Sequence, residues 1–192
     1  MKLYCATGNP GKIREFALAD PAFEIEPLAN FASLPPVEET GATFEENAIL
    51  KALGYGALAG GLLFAEDSGL EVDALGGAPG VYSARFAGPS ANDSANNGLL
   101  IERLRGSENR TARYVCVIAL ARAGRLVDTF RGEVEGQILS SPRGEGGFGY
   151  DPLFFYPPFG CTFAEVPAER KFSASHRGAA LRKLTSYLSR LS

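Results

Sequence analysis

The stretch from Thr43 to Asp67 constrains the fold most. Thr43 and Glu46 stand in capping-box spacing. Phe44, Ala48, Ala52, Tyr55 and Ala59 then recur at helical steps and make one apolar face, and Gly60-Gly61 ends the run. Leu62 to Ala65 follows as an apolar strand that leads straight into Glu66-Asp67-Ser68-Gly69. A one-faced helix feeding a buried strand calls for a layered α/β core.

The rest of the chain keeps this alternation. Lys2 to Ala6 reads as a strand that stops at Thr7-Gly8-Asn9-Pro10-Gly11, with a helix from Lys12 to Ala19. Phe23 to Leu28 and Leu70 to Ala74 read as strands, and Ser90 to Leu104 as a helix. Ala112 to Ala121 and Leu126 to Ile138 are β-rich and flank Arg122-Ala123-Gly124-Arg125, a hairpin signal. A Gly-rich loop covers Ser141 to Asp151, and Leu153 to Tyr156 forms a short strand. The last helix starts at His176 with Ser175 as N-cap and carries a stripe of Leu181, Leu184, Leu188 and Leu191. A central antiparallel pair among alternating elements predicts a mixed sheet.

Composition narrows the function classes. The 192 residues, 45% hydrophobic and 21% charged, suit one globular domain, 1–192, with no linker or repeat. A net charge of −3 offers no general attraction to nucleic acid or anionic membrane, so a polyanionic ligand requires a local group of cations. Three dispersed cysteines without a CxxC, and one histidine, argue against a disulfide framework or a zinc site and fit a cytoplasmic protein. The apolar N-terminal stretch is too short for a signal peptide, and no window approaches a membrane span.

Four segments can carry chemistry. Thr7-Gly8-Asn9-Pro10-Gly11-Lys12 combines a Gly-rich turn with a cation, which suits phosphate, although an ordinary strand-to-helix turn has the same pattern. It is not a Walker A loop: the spacing is too short, and Ile13 replaces the Ser or Thr that would hold magnesium. Glu38-Glu39 and Asp67 are carboxylates placed to converge on a hard cation, or are solvated loop and turn residues. Phe148-Gly149-Tyr150-Asp151 offers aromatic faces and an acid to a base, or packs into the core. Lys171, His176 and Arg177 are donors near the start of the last helix, or solvated charges. With no serine–histidine–acid arrangement, a serine hydrolase is a poor fit.

In order and number, these segments resemble the inosine triphosphate pyrophosphatase family. The resemblance runs through Thr7-Gly8-Asn9 with Lys12, Thr43 to Ala48 with Lys51-Ala52, and Asp67-Ser68-Gly69-Leu70. It continues through Gly77 to Arg85, Phe148 to Pro152 and Ser175-His176-Arg177. It implies an elongated two-lobed α/β fold with a long mixed sheet, helices on its flanks and the site in a cleft between the lobes. It also implies a magnesium-dependent homodimer that hydrolyses deaminated purine nucleoside triphosphates (ITP, dITP, XTP) to monophosphate and pyrophosphate. On that resemblance Thr7, Gly8, Asn9, Pro10, Gly11 and Lys12 bind triphosphate, and Asp67 holds Mg2+ and serves as general base. Ser68 contacts substrate, and Glu38 is the second acidic ligand with Glu39 as the alternative. Phe148, Gly149, Tyr150, Asp151, Lys171, His176 and Arg177 enclose the nucleoside.

Glu66 departs from the aspartate of many relatives, and Phe172 stands where a polar residue is more usual. The alternatives are a Maf-like pyrophosphatase for other modified nucleotides and a catalytically silent nucleotide-binding module. Ser175-His176-Arg177 speaks against the first, and Asp67, Glu38 and Lys12 together speak against the second.

Overall fold

A computed structural model of the protein describes residues 1–191. Seven strands form one mixed sheet: β1 Lys2–Cys5, β2 Glu24–Pro27, β3 Leu62–Val72, β4 Thr111–Arg122, β5 Arg125–Ile138, β6 Phe154–Tyr156 and β7 Cys161–Thr162, in the order β2-β1-β3-β4-β5-β6-β7. β1 pairs in parallel with β2 and β3, whereas β6 pairs antiparallel with β5 and β7. The five α-helices are α1 Pro10–Phe16, α2 Phe44–Gly56, α3 Asp93–Arg103, α4 Ala168–Ala174 and α5 His176–Ser189. This is the α/β class expected, with helices beside a mixed sheet.

The chain divides into two compact units. The first contains Met1–Asp67, Cys116–Gly132 and the chain from His176 onward; the second contains Ser68–Val115 and Glu133–Ser175.

In the first unit, α2 forms for the reason its sequence gives. The Thr43 hydroxyl accepts from Glu46 N at 3.1 Å, and Phe44, Ala48, Ala52 and Tyr55 are buried. Glu46 reaches one residue further back than in a standard capping box, and its carboxylate accepts from Ala42 N at 2.6 Å. The helix stops at Gly56, so Ala59 lies beyond it. α1 starts two residues before Lys12 because Pro10 suits a first turn and Asn9 caps it. Phe16 of α1 meets Phe64 of β3 edge-to-face at 5.0 Å, and α5 packs on α1 with Leu181, Leu184 and Leu188 buried. Ala123 and Gly124, both at positive φ, make the two-residue turn from β4 to β5.

In the second unit, Leu70, Val72, Leu100, Leu104, Tyr114, Phe154 and Phe163 form the centre of the core. Two differences from the sequence reading bear on the site. The segments 62–65 and 70–72 are parts of one uninterrupted strand, β3, with Glu66 to Gly69 in its middle rather than at a turn. The strand stops at Val72, so residues 73 and 74 leave it for a short 3-10 turn, Asp73–Leu75. In addition, the seven-residue helix α4 precedes Ser175, too short to show a period in the sequence.

Candidate functional site

The uninterrupted course of β3 sets the geometry of the first unit's polar groups. Neighbouring side chains on a strand project to opposite faces, so Glu66 and Asp67 reach different partners. Asp67 turns toward α2. Its Oδ2 accepts from Asn47 Nδ2 at 3.3 Å, and its Oδ1 lies 3.1 Å from Lys51 Nζ. Asn47 and Lys51 are four residues apart, one turn of the same helix face. Lys51 Nζ also holds Glu39 Oε2 at 2.7 Å, and Asn47 Oδ1 accepts from Gly41 N at 2.8 Å, which ties the preceding loop to the helix.

Glu66 turns the other way. It pairs with Lys12 of α1 and lies 3.8 Å from Arg177 of α5, and Cys116 of β4 donates its thiol to Glu66 Oε2 at 3.3 Å. Arg177, 2% exposed, also pairs with Glu15 of α1, which is itself buried. Lys12 therefore closes on Glu66 and not on Asp67. The charges still feel one another, since Lys51 as well as Lys12 acts on Glu66.

The two carboxyls respond in opposite directions. Burial raises the Asp67 pKa; Lys51 opposes this, while Glu39 and Glu66 add to the rise. Burial would raise Glu66 as well, but Lys12 and Arg177 prevail and hold it well below the usual carboxylate range. The ion pairs of this group join four carboxylates (Glu15, Glu39, Glu66, Asp67) to three cations (Lys12, Lys51, Arg177). Lys51 faces two of these acids, Glu39 and Asp67, so its ammonium is shared between them, and both are oxygen donors suited to a hard cation. Among the described residues no three His, Cys, Asp or Glu side chains form a ready metal cage. The donors fit an ion that takes one or two carboxylates and completes its shell with water and phosphate, the habit of magnesium.

The turn from Thr7 to Lys12 is internally bonded. Asn9 Oδ1 accepts from Gly11 N at 2.8 Å and from Lys12 N at 3.2 Å, and Thr7 Oγ1 accepts from Asn9 N at 3.2 Å. Glu38 is exposed, whereas Glu39 is the acid that shares Lys51 with Asp67. Ser68, next along β3, is half-buried.

A second polar group lies within the second unit. Asp151, 1% exposed, accepts from Lys171 Nζ at 2.5 Å, from Phe148 N at 2.9 Å and from the Tyr114 hydroxyl at 3.2 Å. Lys171 Nζ sits 4.6 Å from the centre of the Phe148 ring. A Cβ at Gly147, whose φ is +71°, would run into the Asp151 carboxylate, so the loop needs glycine there. Tyr150 belongs to the core, and its hydroxyl donates to Ser83 O at 2.8 Å. Asp151 organises this loop, and Tyr150 anchors it. His176 is buried at the start of α5 in the first unit.

The sequence reading passed over Asn47, Lys51 and Glu15 as functional residues. Asn47 and Lys51 left a trace, a polar pair at helical spacing beside the apolar positions of α2. Glu15 left none, since a glutamate on a short helix usually faces water.

The model of the Ham1 family matches residues 3–187. A dITP/XTP pyrophosphatase of an Exiguobacterium species is 55% identical over 186 residues, covering 96% of this chain and 95% of that protein. The dITP/XTP pyrophosphatase of Thermus thermophilus is 55% identical over 189 residues, covering 96% and 90%. Among solved structures, the Staphylococcus aureus Ham1 protein superposes with a TM-score of 0.89 at 39% identity, over 100% of both chains. A HAM1 protein from Coxiella burnetii does so with a TM-score of 0.87 at 38% identity, over 99% of both. With a match along nearly its whole length and relatives above half identity, the chain belongs to the Ham1 family.

Proposed function

We propose that this chain is a nucleoside triphosphate pyrophosphatase acting on deaminated purine nucleotides (ITP, dITP and XTP), which it hydrolyses to the monophosphate and pyrophosphate. The observation that carries this reading is Asp67. It is a buried carboxylate with a raised pKa, placed between Lys51 and Asn47, and it shares the Lys51 ammonium with Glu39. The names of the relatives, dITP/XTP pyrophosphatases, give it its substrate class.

In this reading a water attacks the α-phosphorus. The new P–O bond forms as the bond to the bridging oxygen breaks, and pyrophosphate leaves on the opposite side. Asp67 orients the water and takes its proton. Lys12, beside the Thr7–Gly11 turn, is the cation for the leaving pyrophosphate, and Ser68 is a further substrate contact. Mg2+, held by Asp67 with Glu39 or Glu38, would supply charge neutralisation at the phosphate oxygens and a more acidic water.

Phe148, with Gly149, is the proposed platform for the purine, while Tyr150 and Asp151 shape the loop. Lys171, His176 or Arg177 is the proposed donor toward O6. Adenine presents an amino group where hypoxanthine and xanthine present an acceptor. Donor against donor leaves polar groups unpaired, at about 1–3 kcal/mol each. We further assign the protein to the cytoplasm as a homodimer that removes deaminated nucleotides before polymerases use them.

The test is product identity. ITP with magnesium should yield inosine monophosphate and pyrophosphate in equal amounts, and far less product should come from ATP. Release of orthophosphate and inosine diphosphate would overturn the reading.

A further inference from the structure

The Phe148 loop is rich in glycine, and residues at positive φ, Gly147 and Gly149, flank the aromatic. Such a segment does not fix a ring by its own stiffness. The Asp151 carboxylate holds one end, through Phe148 N. The other end is held from α3, a helix to which the sequence reading gave no functional role. Asp93 Oδ2 accepts from Gly149 N at 2.7 Å, and Asn97 Nδ2 donates to Gly149 O at 3.0 Å. The two residues are four apart, so they share one face of α3 and grip both polar groups of a single glycine. The peptide that joins Phe148 to Gly149 is therefore clamped from both sides, by Asp151 before it and by Asp93 after it.

The clamp bears on a half-buried ring that also has Lys171 Nζ 4.6 Å from its centre. Asp93 is exposed and Asn97 half-buried, and neither belongs to the core cluster, so the backbone of the loop is the main thing they are placed to hold. We infer that Asp93 and Asn97 are positioning residues that set the Phe148 platform for the purine of the substrate. This rests on the reading of Phe148 given above.

A hydrogen bond to a loop backbone is worth about a factor of five to ten in an equilibrium. Asn97→Ala and Asp93→Ala should each raise KM for ITP about five- to tenfold while kcat stays within about twofold, because the clamp touches no reacting group. Asp93→Asn keeps an acceptor oxygen and should recover most of the loss. Phe148→Ala should raise KM on its own, and adding Asn97→Ala to it should then change nothing further. A merely structural role for α3 would give the same increment with or without the ring. If Phe148→Ala raises KM and the two α3 variants do not, the clamp is wrong. If Phe148→Ala itself leaves KM unchanged, the platform reading fails instead.

Discussion

Lys51 Nζ lies 3.1 Å from Asp67 Oδ1 and bridges it to Glu39 at 2.7 Å. The ammonium thus neutralises two neighbouring acids at once and keeps this polar group compact. Burial works against the Lys51 charge, but Asp67 and Glu39 outweigh it and raise the Lys51 pKa, so the bridge is cationic across the neutral range.

Asp67→Asn is isosteric and preserves an acceptor for Asn47 or Lys51, but it cannot take a proton. Turnover of ITP should fall by about 10²- to 10⁴-fold, the usual contribution of a general base, while equilibrium binding of ITP persists. Pyrophosphate release and calorimetric titration check the two halves. Turnover near the unmutated level would remove Asp67 from the reaction.

Glu39 and Glu38 are separable by substitution. Glu39 shares Lys51 with Asp67 and Glu38 is exposed, so Glu39→Gln should raise the magnesium concentration needed for half-maximal activity about tenfold, roughly the effect of one lost carboxylate contact. Glu38→Gln should shift it by no more than about twofold. The reverse order would make Glu38 the second acid.

Glu66 links the site to stability. Its folded-state pKa is depressed, so its stabilisation is complete above the ordinary glutamate value of 4.5 and is lost as pH falls below that toward the depressed value. Glu66→Gln leaves Lys12 and Arg177 without their shared acid and should cost about 3–5 kcal/mol at neutral pH. The variant should also lose part of the acid sensitivity seen in the unmutated protein. Urea unfolding at pH 7 and below pH 4.5 reads both effects. A flat difference between the two conditions would deny Glu66 its charged role.

The three thiols should differ sharply in reactivity. Burial pushes the Cys5 thiol up to about 12, and burial with Glu66 beside it pushes Cys116 well above its ordinary value. At pH 8 a thiol with a pKa of 12 is thiolate in only about one molecule in 10⁴. Iodoacetamide should label Cys161, which is half-buried, in the native protein and all three cysteines after unfolding. Mass spectrometry of labelled peptides gives the answer, and rapid native labelling of Cys116 would mean that the Glu66 group opens readily.

Much of the fold was legible because periodicity survives in long elements. α2, α3 and α5, the β4–β5 hairpin and the first strand all follow from apolar spacing and turn residues. β3 was read as two pieces because Glu66-Asp67-Ser68-Gly69 looks like a turn, and only its neighbours in the sheet reveal it as strand. Candidate site groups were legible where a residue type announced itself, as with Lys12 and Asp67. It was hidden where partners come from distant segments: Arg177 reaches Glu15 across 162 positions. Tyr150 and Asp151 read as ligand groups from their company, but the core claims the one and three neighbouring donors claim the other.

Asn9 closes its turn with a neutral carboxamide. Aspartate would cap a helix equally well, but it would plant a full negative charge beside Lys12, where the proposed triphosphate is to be received. With asparagine the first turn is already shaped, its amides are aligned on an oxygen, and the cap itself adds no charge. On the proposed reading, Asn9→Asp would keep the turn's shape and weaken its hold on a triphosphate.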